Sequence, residues 1–306
     1  MVKEISLVIP VFKCASCLVA LVDSIEKFCL DERLEFEIVL VDDRSPDDAW
    51  DIIRKLKEEK QFITGIRLSR NFGQHNAIFA GLEKATKEWI VVLDCDLQDD
   101  PFEIKKMISI ANTGYDMVVG LRSFRKDSWL KIASGKIFYR LLSYLCGEDI
   151  DPRICNFGIY SSRVIACILA HNEINRSFGG LAILAGFNRA HVEVAHRQRF
   201  EGKSSYSLDQ MFKLASDRVI LHSKKILELV FKSGILISIS SSFYALWLVF
   251  KFFAYGVEQQ GWTSLMVLVL LCTGLIVMSL GIVGGYIGSV LEQVKRRPHY
   301  WIDEEI

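Results

Sequence analysis

Residues 262–291 run for 30 positions without a charged side chain, and residues 233–250 are uncharged for 18. A helix needs about 20 largely apolar residues to cross a bilayer core. Both runs are therefore long enough to span, the second with tilt. Lys224, Lys225 and Lys232 precede the first run and Lys295, Arg296 and Arg297 follow the second, whereas the connecting loop (254–261) carries only Glu258. Positive charge stays on the cytoplasmic side, which predicts two transmembrane helices, about 233–253 and 264–290, with both ends in the cytoplasm. A buried helical hairpin of a soluble protein is the competing reading; the length of the second run argues against it. Gly281, Gly284, Gly285 and Gly288 fall at helical spacing, which allows close helix contact within the pair or between protomers of a homo-oligomer without requiring either.

The first two thirds of the chain have a different pattern. Short apolar runs at 5–9, 36–41, 62–68 and 89–93 alternate with longer helix-like stretches at 16–28, 47–60 and 75–85. The runs read as buried parallel strands joined by crossover helices, hence an α/β, doubly wound and mainly parallel sheet. The predicted domains are 1–225, catalytic and cytosolic, and 226–306, a membrane domain with a short cytosolic tail. Ligands bind such sheets at the carboxyl ends of the strands. There the chain has Pro10, the pair Asp42-Asp43, Ser69-Arg70-Asn71 and Asp94-Cys95-Asp96. Thirty-seven basic residues balance 37 acidic ones, so nothing in the overall charge points to nucleic acid. Eight scattered cysteines and an N-terminus without a basic leader or cleavage site predict free thiols in a reducing cytosol. Cys14-Ala15-Ser16-Cys17 has dithiol-motif spacing at a helix start, but small buried helix residues are the simpler reading.

In Val92-Leu93-Asp94-Cys95-Asp96-Leu97-Gln98-Asp99-Asp100-Pro101 two carboxylates lie two residues apart directly after a buried strand. Mg²⁺ and Mn²⁺ bound with a nucleotide take one or two carboxylates plus diphosphate oxygens and water, so this is the donor set a nucleoside diphosphate leaving group requires. An acidic turn in which Asp99 caps the helix from Pro101 explains Asp99 better than Asp94 or Asp96. Arg122, Arg125, Lys131 and Ser134 follow a predicted strand at 116–119 and enter a helix start, where phosphate is the natural ligand; a solvated basic loop near anionic lipid is the competing reading. Residues 128–145 and 208–221 carry apolar residues at helical spacing among Lys and Arg; they fit a membrane surface or a packed domain surface equally.

Val8-Ile9-Pro10-Val11, Val41-Asp42-Asp43-x-Ser45-x-Asp47, Asn71-Phe72-Gly73-Gln74 and Asp94-x-Asp96-Leu97-Gln98-Asp99-x-Pro101 together resemble the family 2 glycosyltransferases of GT-A fold. The chain is most similar to the polyprenyl-phosphate branch, like dolichol-phosphate mannose synthase, with two C-terminal transmembrane helices. The resemblance implies a nucleotide-sugar donor received by Pro10, Asp42, Asp43 and Asp94, and Mg²⁺ or Mn²⁺ held by Asp94, Asp96 and Gln98. It also implies an undecaprenyl or dolichyl phosphate acceptor at the cytosolic face of a bilayer, a bacterial inner membrane by expectation. Arg199 lies in a stretch resembling the family's Arg-x-x-Gly-x-Ser-Lys-Tyr loop, where Arg neutralises the acceptor phosphate; here Ser205 replaces the loop's Lys. The family's Tyr-Asn-Glu-Glu after the first strand is absent, Phe12, Lys13, Cys14 and Ala15 following Val11. Where the family often has Gly-Asp-Phe this chain has Cys155-Asn156-Phe157, so Asn156 is expected to orient donor or acceptor rather than take a proton. Action on another lipid or glycan acceptor, or decay to a membrane scaffold, are the rival functions; a processive synthase would need a Gln-x-x-Arg-Trp motif, which is missing.

Overall fold

The computed structural model describes residues 1–122, 153–171, 177–194, 225–255, 261–295 and 297–306. Every predicted strand and crossover helix of the N-terminal region forms. The strands are β1 (Glu4–Val11), β2 (Glu35–Asp42), β3 (Ile63–Leu68), β4 (Trp89–Val92), β5 (Met117–Arg122), β6 (Ile154–Ser161), β7 (Arg189–Val194) and β8 (Ile302–Glu305). They build one sheet in the order β7-β5-β6-β4-β1-β2-β3-β8. β1 to β4 are mutually parallel; β6 runs against β4 and β5, β7 runs with β5, and β8 runs against β3.

Strand alternation divides the core into two layers. Ile5, Leu7, Ile9 and Val11 of β1 face one layer with Ile38 and Leu40 of β2, under α1 (Ala15–Asp31), α2 (Ala49–Glu59) and α4 (Ile104–Ala111). Val8, Val39, Val41, Ile66 and Val92 face the other, under α3 (Gln74–Leu82), α5 (Ser162–Ala170) and α6 (Phe178–Leu184). Burial on both faces is why these strands read as unbroken apolar runs. α3 lies unusually close to the sheet, because a Cβ on Gly81 would come within 2.4 Å of Val8 Cγ1.

Two compact units are present, one holding the sheet together with residues 296–306, the other holding the two longest helices, α7 (Lys225–Tyr255) and α8 (Trp262–Lys295). Both uncharged runs are thus helical. Within α8, Cys272–Lys295 is long and apolar enough to cross a membrane. Val277, Leu280, Ile287 and Val290 on that segment are exposed within the chain, as lipid-facing side chains would be. The final residues, expected as a tail of the membrane domain, instead form β8 on the catalytic sheet. The predicted helices at 128–145 and 208–221 lie outside the described residues.

Candidate active site

From β1 the chain winds outward through β2 and β3 on one side, while β4 pairs on the other, so the connections diverge between β1 and β4. That divergence opens a crevice at the carboxyl ends of the strands. Pro10 sits there near the end of β1, paired in register with Val41.

The Asp-Asp-x-Ser-x-Asp motif joins the loops that rim this crevice. Asp47 accepts from the Ala15 amide (3.0 Å) and from the Ser45 hydroxyl, while Ser45 Oγ accepts from the Lys13 amide (2.7 Å). A carboxylate is thereby set at the N-terminus of α1, a helix whose own first residues carry no acid. Burial pushes the Asp47 carboxyl up, but the Ser45 hydroxyl and the neighbouring amides outweigh it and hold the group below its ordinary value. Asp42 is fully buried; its Oδ1 accepts from the Ser45 amide at 2.9 Å. Its Oδ2 lies 3.4 Å from Arg67 Nε, a charge contact without hydrogen-bond alignment. Asp43 accepts from the amides of Phe72 (2.7 Å) and Gly73 (2.9 Å), fixing a turn in which Gly73 has φ +91. Only glycine takes that conformation cheaply. Burial raises both Asp42 and Asp43 despite these donors.

Gln74, the next residue, donates to Asp94 Oδ1 at 2.6 Å. This gives the Asn-Phe-Gly-Gln motif a physical role: Asp43 shapes the turn, and the turn delivers an amide to the first carboxylate after β4. Asp94 and Asp96 are half-buried, and Leu97 adopts φ +58, which turns the chain so that Asp96 Oδ1 accepts from the Gln98 amide (3.2 Å). Gln98 is 4% exposed, and its side-chain Nε2 has no hydrogen-bond partner among the described residues. Leaving such a donor buried and unmatched is costly, and these are the groups ligands satisfy. The cap expected of Asp99 comes from Asp100, whose Oδ1 accepts from Phe102 N at 3.1 Å. Among the described residues no three His, Cys, Asp or Glu side chains converge as a metal cage. Mg²⁺ and Mn²⁺ bound with a nucleotide do not need one. The carboxylates of Asp94 and Asp96 fit such an ion, and the unmatched Gln98 N–H fits a diphosphate oxygen beside it.

Contrary to the expectation of free thiols, Cys14 and Cys95 are joined by a disulfide, while the other described cysteines, Cys17, Cys29, Cys155, Cys167 and Cys272, form no disulfide. On the side of β4 away from β1, β6 pairs with β4 as far as Val92↔Gly158. Half-buried Asn156, two residues before Gly158 on the antiparallel strand, lies at the same carboxyl-end edge of the sheet as the loop after β4.

Residues 6–169 match the family described as Glycosyl transferase family 2. A Bacillus subtilis (strain 168) protein named as a glycosyltransferase, CsbB, is 30% identical over 98% of this chain and 91% of its own length. The chain belongs to glycosyl transferase family 2. An undecaprenyl-phosphate 4-deoxy-4-formamido-L-arabinose transferase of Serratia proteamaculans (strain 568) is 29% identical to this glycosyltransferase, over 100% of this chain and 94% of that one. A mycobacterial protein of known crystal structure shares the fold at TM-score 0.50 and 16% identity, covering 71% of this chain and 73% of that one.

The glycosyltransferase fold thus brings Pro10, Asp42, Asp43, Asp94, Asp96, Gln98 and Asn156 to one edge of the sheet. Arg122 ends β5 at that same edge. Arg125, Lys131, Ser134 and Arg199 lie outside the described residues. Reading the sequence missed Gln74, Ser45 and Asp47 as working residues, although each stood in a quoted motif, and it missed Arg67 and the C-terminal strand altogether.

Proposed function

We propose that this glycosyltransferase moves a sugar from a nucleotide-sugar to a polyprenyl phosphate at the cytoplasmic face of a bacterial inner membrane, by a single inverting displacement with Mg²⁺ or Mn²⁺. The observation that carries the reading is the loop after β4, at the carboxyl end of the sheet, which carries half-buried Asp94 and Asp96 and the partnerless side-chain amide of buried Gln98. Asp94 and Asp96 would hold the ion, and Gln98 would donate to a diphosphate oxygen. When bound, the ion neutralises charge on the departing nucleoside diphosphate. Pro10 and the loop of Asp42 and Asp43 receive the nucleoside. Arg122, Arg125, Lys131, Ser134 and Arg199 are assigned to the acceptor phosphate, whose oxygen attacks the anomeric carbon as the bond to the nucleoside diphosphate breaks. Asn156, carrying no charge, orients one of these partners by hydrogen bonding. The acceptor class is supported by the name of the Serratia relative.

Two membrane spans are supported by chain topology. Residues 1–122 and 302–305 share one sheet, so the chain between them must cross a bilayer an even number of times. A span in α8 then needs a second, and α7 supplies a helix of 31 residues. Incubating membranes containing the protein with undecaprenyl or dolichyl phosphate and a panel of UDP-, GDP- and dTDP-sugars tests the reading. One donor is expected to give metal-dependent glycolipid; transfer to none of the polyprenyl phosphates, with transfer to another lipid or glycan, would overturn the acceptor assignment.

A further inference from the structure

The last residues of the chain are anchored in a manner that a mere tail does not require. Ile302–Glu305 adds β8 to the outer edge of β3, and Gly65 and Ile306 exchange backbone hydrogen bonds at 3.0 and 2.9 Å. β8 enters from the ligand-binding edge, where Trp301 O accepts from the Ser69 amide at 2.9 Å. A Cβ on Gly65 would come within 2.7 Å of Ile53 Cγ2 and 2.8 Å of the Ile306 side chain, so glycine suits a position packed against both α2 and the end of the chain.

Two acids of this strand reach toward the loop after β2. Asp303 pairs with Arg44 at 2.5 Å; Arg44 directly follows Asp42-Asp43 and is held at φ +53. A non-glycine residue in that region needs its surroundings to hold it there. Glu304 accepts from Arg54 Nη2 with both oxygens (2.8 and 2.7 Å) and from Trp50 Nε1 (3.1 Å). Buried Trp50 in turn lies under the Arg67 guanidinium, 5.7 Å from its ring centre, and Arg67 faces Asp42. Glu304 and Arg67 are also register partners. A continuous set of contacts therefore runs from the chain's last residues to the backbone at Arg44 and to the carboxylate of Asp42.

We propose that Asp303 and Glu304 are positioning residues of the donor site, clamping Arg44 and, through Trp50, Arg67, so that the loop carrying Asp42 and Asp43 is preorganised for the nucleoside. The proposal rests on the reading that this loop receives the donor. It has a consequence for architecture: the strand proposed to set the donor loop follows the helix of membrane-spanning length, α8, after six intervening residues, 296–301. Exposed ion pairs are individually weak. Each substitution should therefore tune donor affinity and leave the fold standing, because main-chain pairing still holds β8.

The test uses full-length protein in detergent or nanodiscs, with UDP, GDP and dTDP plus Mn²⁺ as binding probes. Asp303→Ala and Glu304→Gln are expected to weaken the nucleotide that the parent binds by about 3- to 10-fold, raising KM for the matching donor with kcat at saturation within about 2-fold. Arg44→Asp should weaken binding similarly, and combining it with Asp303→Arg should recover most of the loss, which general destabilisation would not do. Parent-like affinity in Asp303→Ala and Glu304→Gln, or a loss in kcat alone, would overturn the positioning role while leaving the donor reading intact. Binding of none of the three nucleotides by the parent would overturn both.

Discussion

Cys14, at the N-terminus of α1, is bonded to Cys95, the residue between Asp94 and Asp96, with Cα atoms 6.4 Å apart. The bridge crosses the crevice between the ends of β1 and β4 and closes a loop of 81 residues' separation. A crosslink over that separation restricts the unfolded chain and is typically worth about 2–4 kcal/mol. Reductant should therefore lower the denaturation midpoint of the detergent-solubilised protein by an equivalent amount, and Cys95→Ser should no longer respond to reductant. Equal midpoints for the parent with and without reductant would exclude a stabilising bridge. In a cytosol such a bond would be transient, so comparison of air-purified and thiol-purified protein is the informative one.

The fold was largely legible because its signals are local. Continuous apolar runs marked β1 to β4, and carboxylates at their ends marked the crevice. Three features were not legible, each for a physical reason. β8 is only four residues long and mostly acidic, and it is held by pairing with β3, some 240 positions away in sequence, which no local pattern encodes. The Cys14–Cys95 bond likewise joins distant loops, and the nearer Cys17 offered a more obvious partner. Asp43 looked like a ligand-facing carboxylate, yet both its oxygens accept from the Phe72 and Gly73 amides. Sequence identifies such a carboxylate without telling whether its partner is a ligand or a turn.

Asp96→Ala should leave a folded, membrane-bound protein with at least about 10²-fold less transfer, since the carboxylate is half-buried and outside the apolar core. Chelation of the parent with EDTA should reproduce the loss, and added Mn²⁺ or Mg²⁺ should restore it. Transfer persisting in the variant and in EDTA would refute metal dependence.

Asp42 should leave a signature in acid stability. Burial, outweighing the Ser45 amide and the Arg67 charge, raises its folded-state value above the ordinary 3.8. Between those two values the native chain holds a proton that the unfolded chain has released, so this group's contribution to stability falls as pH rises through the window. Asp42→Asn should remove that downward component from urea unfolding free energies measured from about pH 4 to about pH 7. An unchanged slope would mean that Asp42 titrates normally.

Topology gives a prediction independent of chemistry. With both spans in place, Glu258→Cys should react with an impermeant maleimide in intact cells, whereas Asp303→Cys should react only after lysis. Because β8 pairs with β3, labelling of position 303 from outside would contradict a cytoplasmic catalytic domain.

Asn156 separates two accounts of the chemistry. A missing general base would be supplied by Asn156→Asp, which should then raise the rate by up to about 10²-fold. We expect no gain. A phosphate monoester is mostly ionised near neutral pH and attacks without first losing a proton. A new carboxylate at 156, on the edge of the sheet that also carries Asp94 and Asp96, would add negative charge opposing an anionic acceptor. The amide can donate a hydrogen bond, which an ionised carboxylate cannot. Transfer measured from about pH 5.5 to about pH 8 for both forms decides the matter. Unchanged or weakened acceptor use in the Asp form is expected, and a large rate increase with a new acidic limb would show that Asn156 stands where a base was needed.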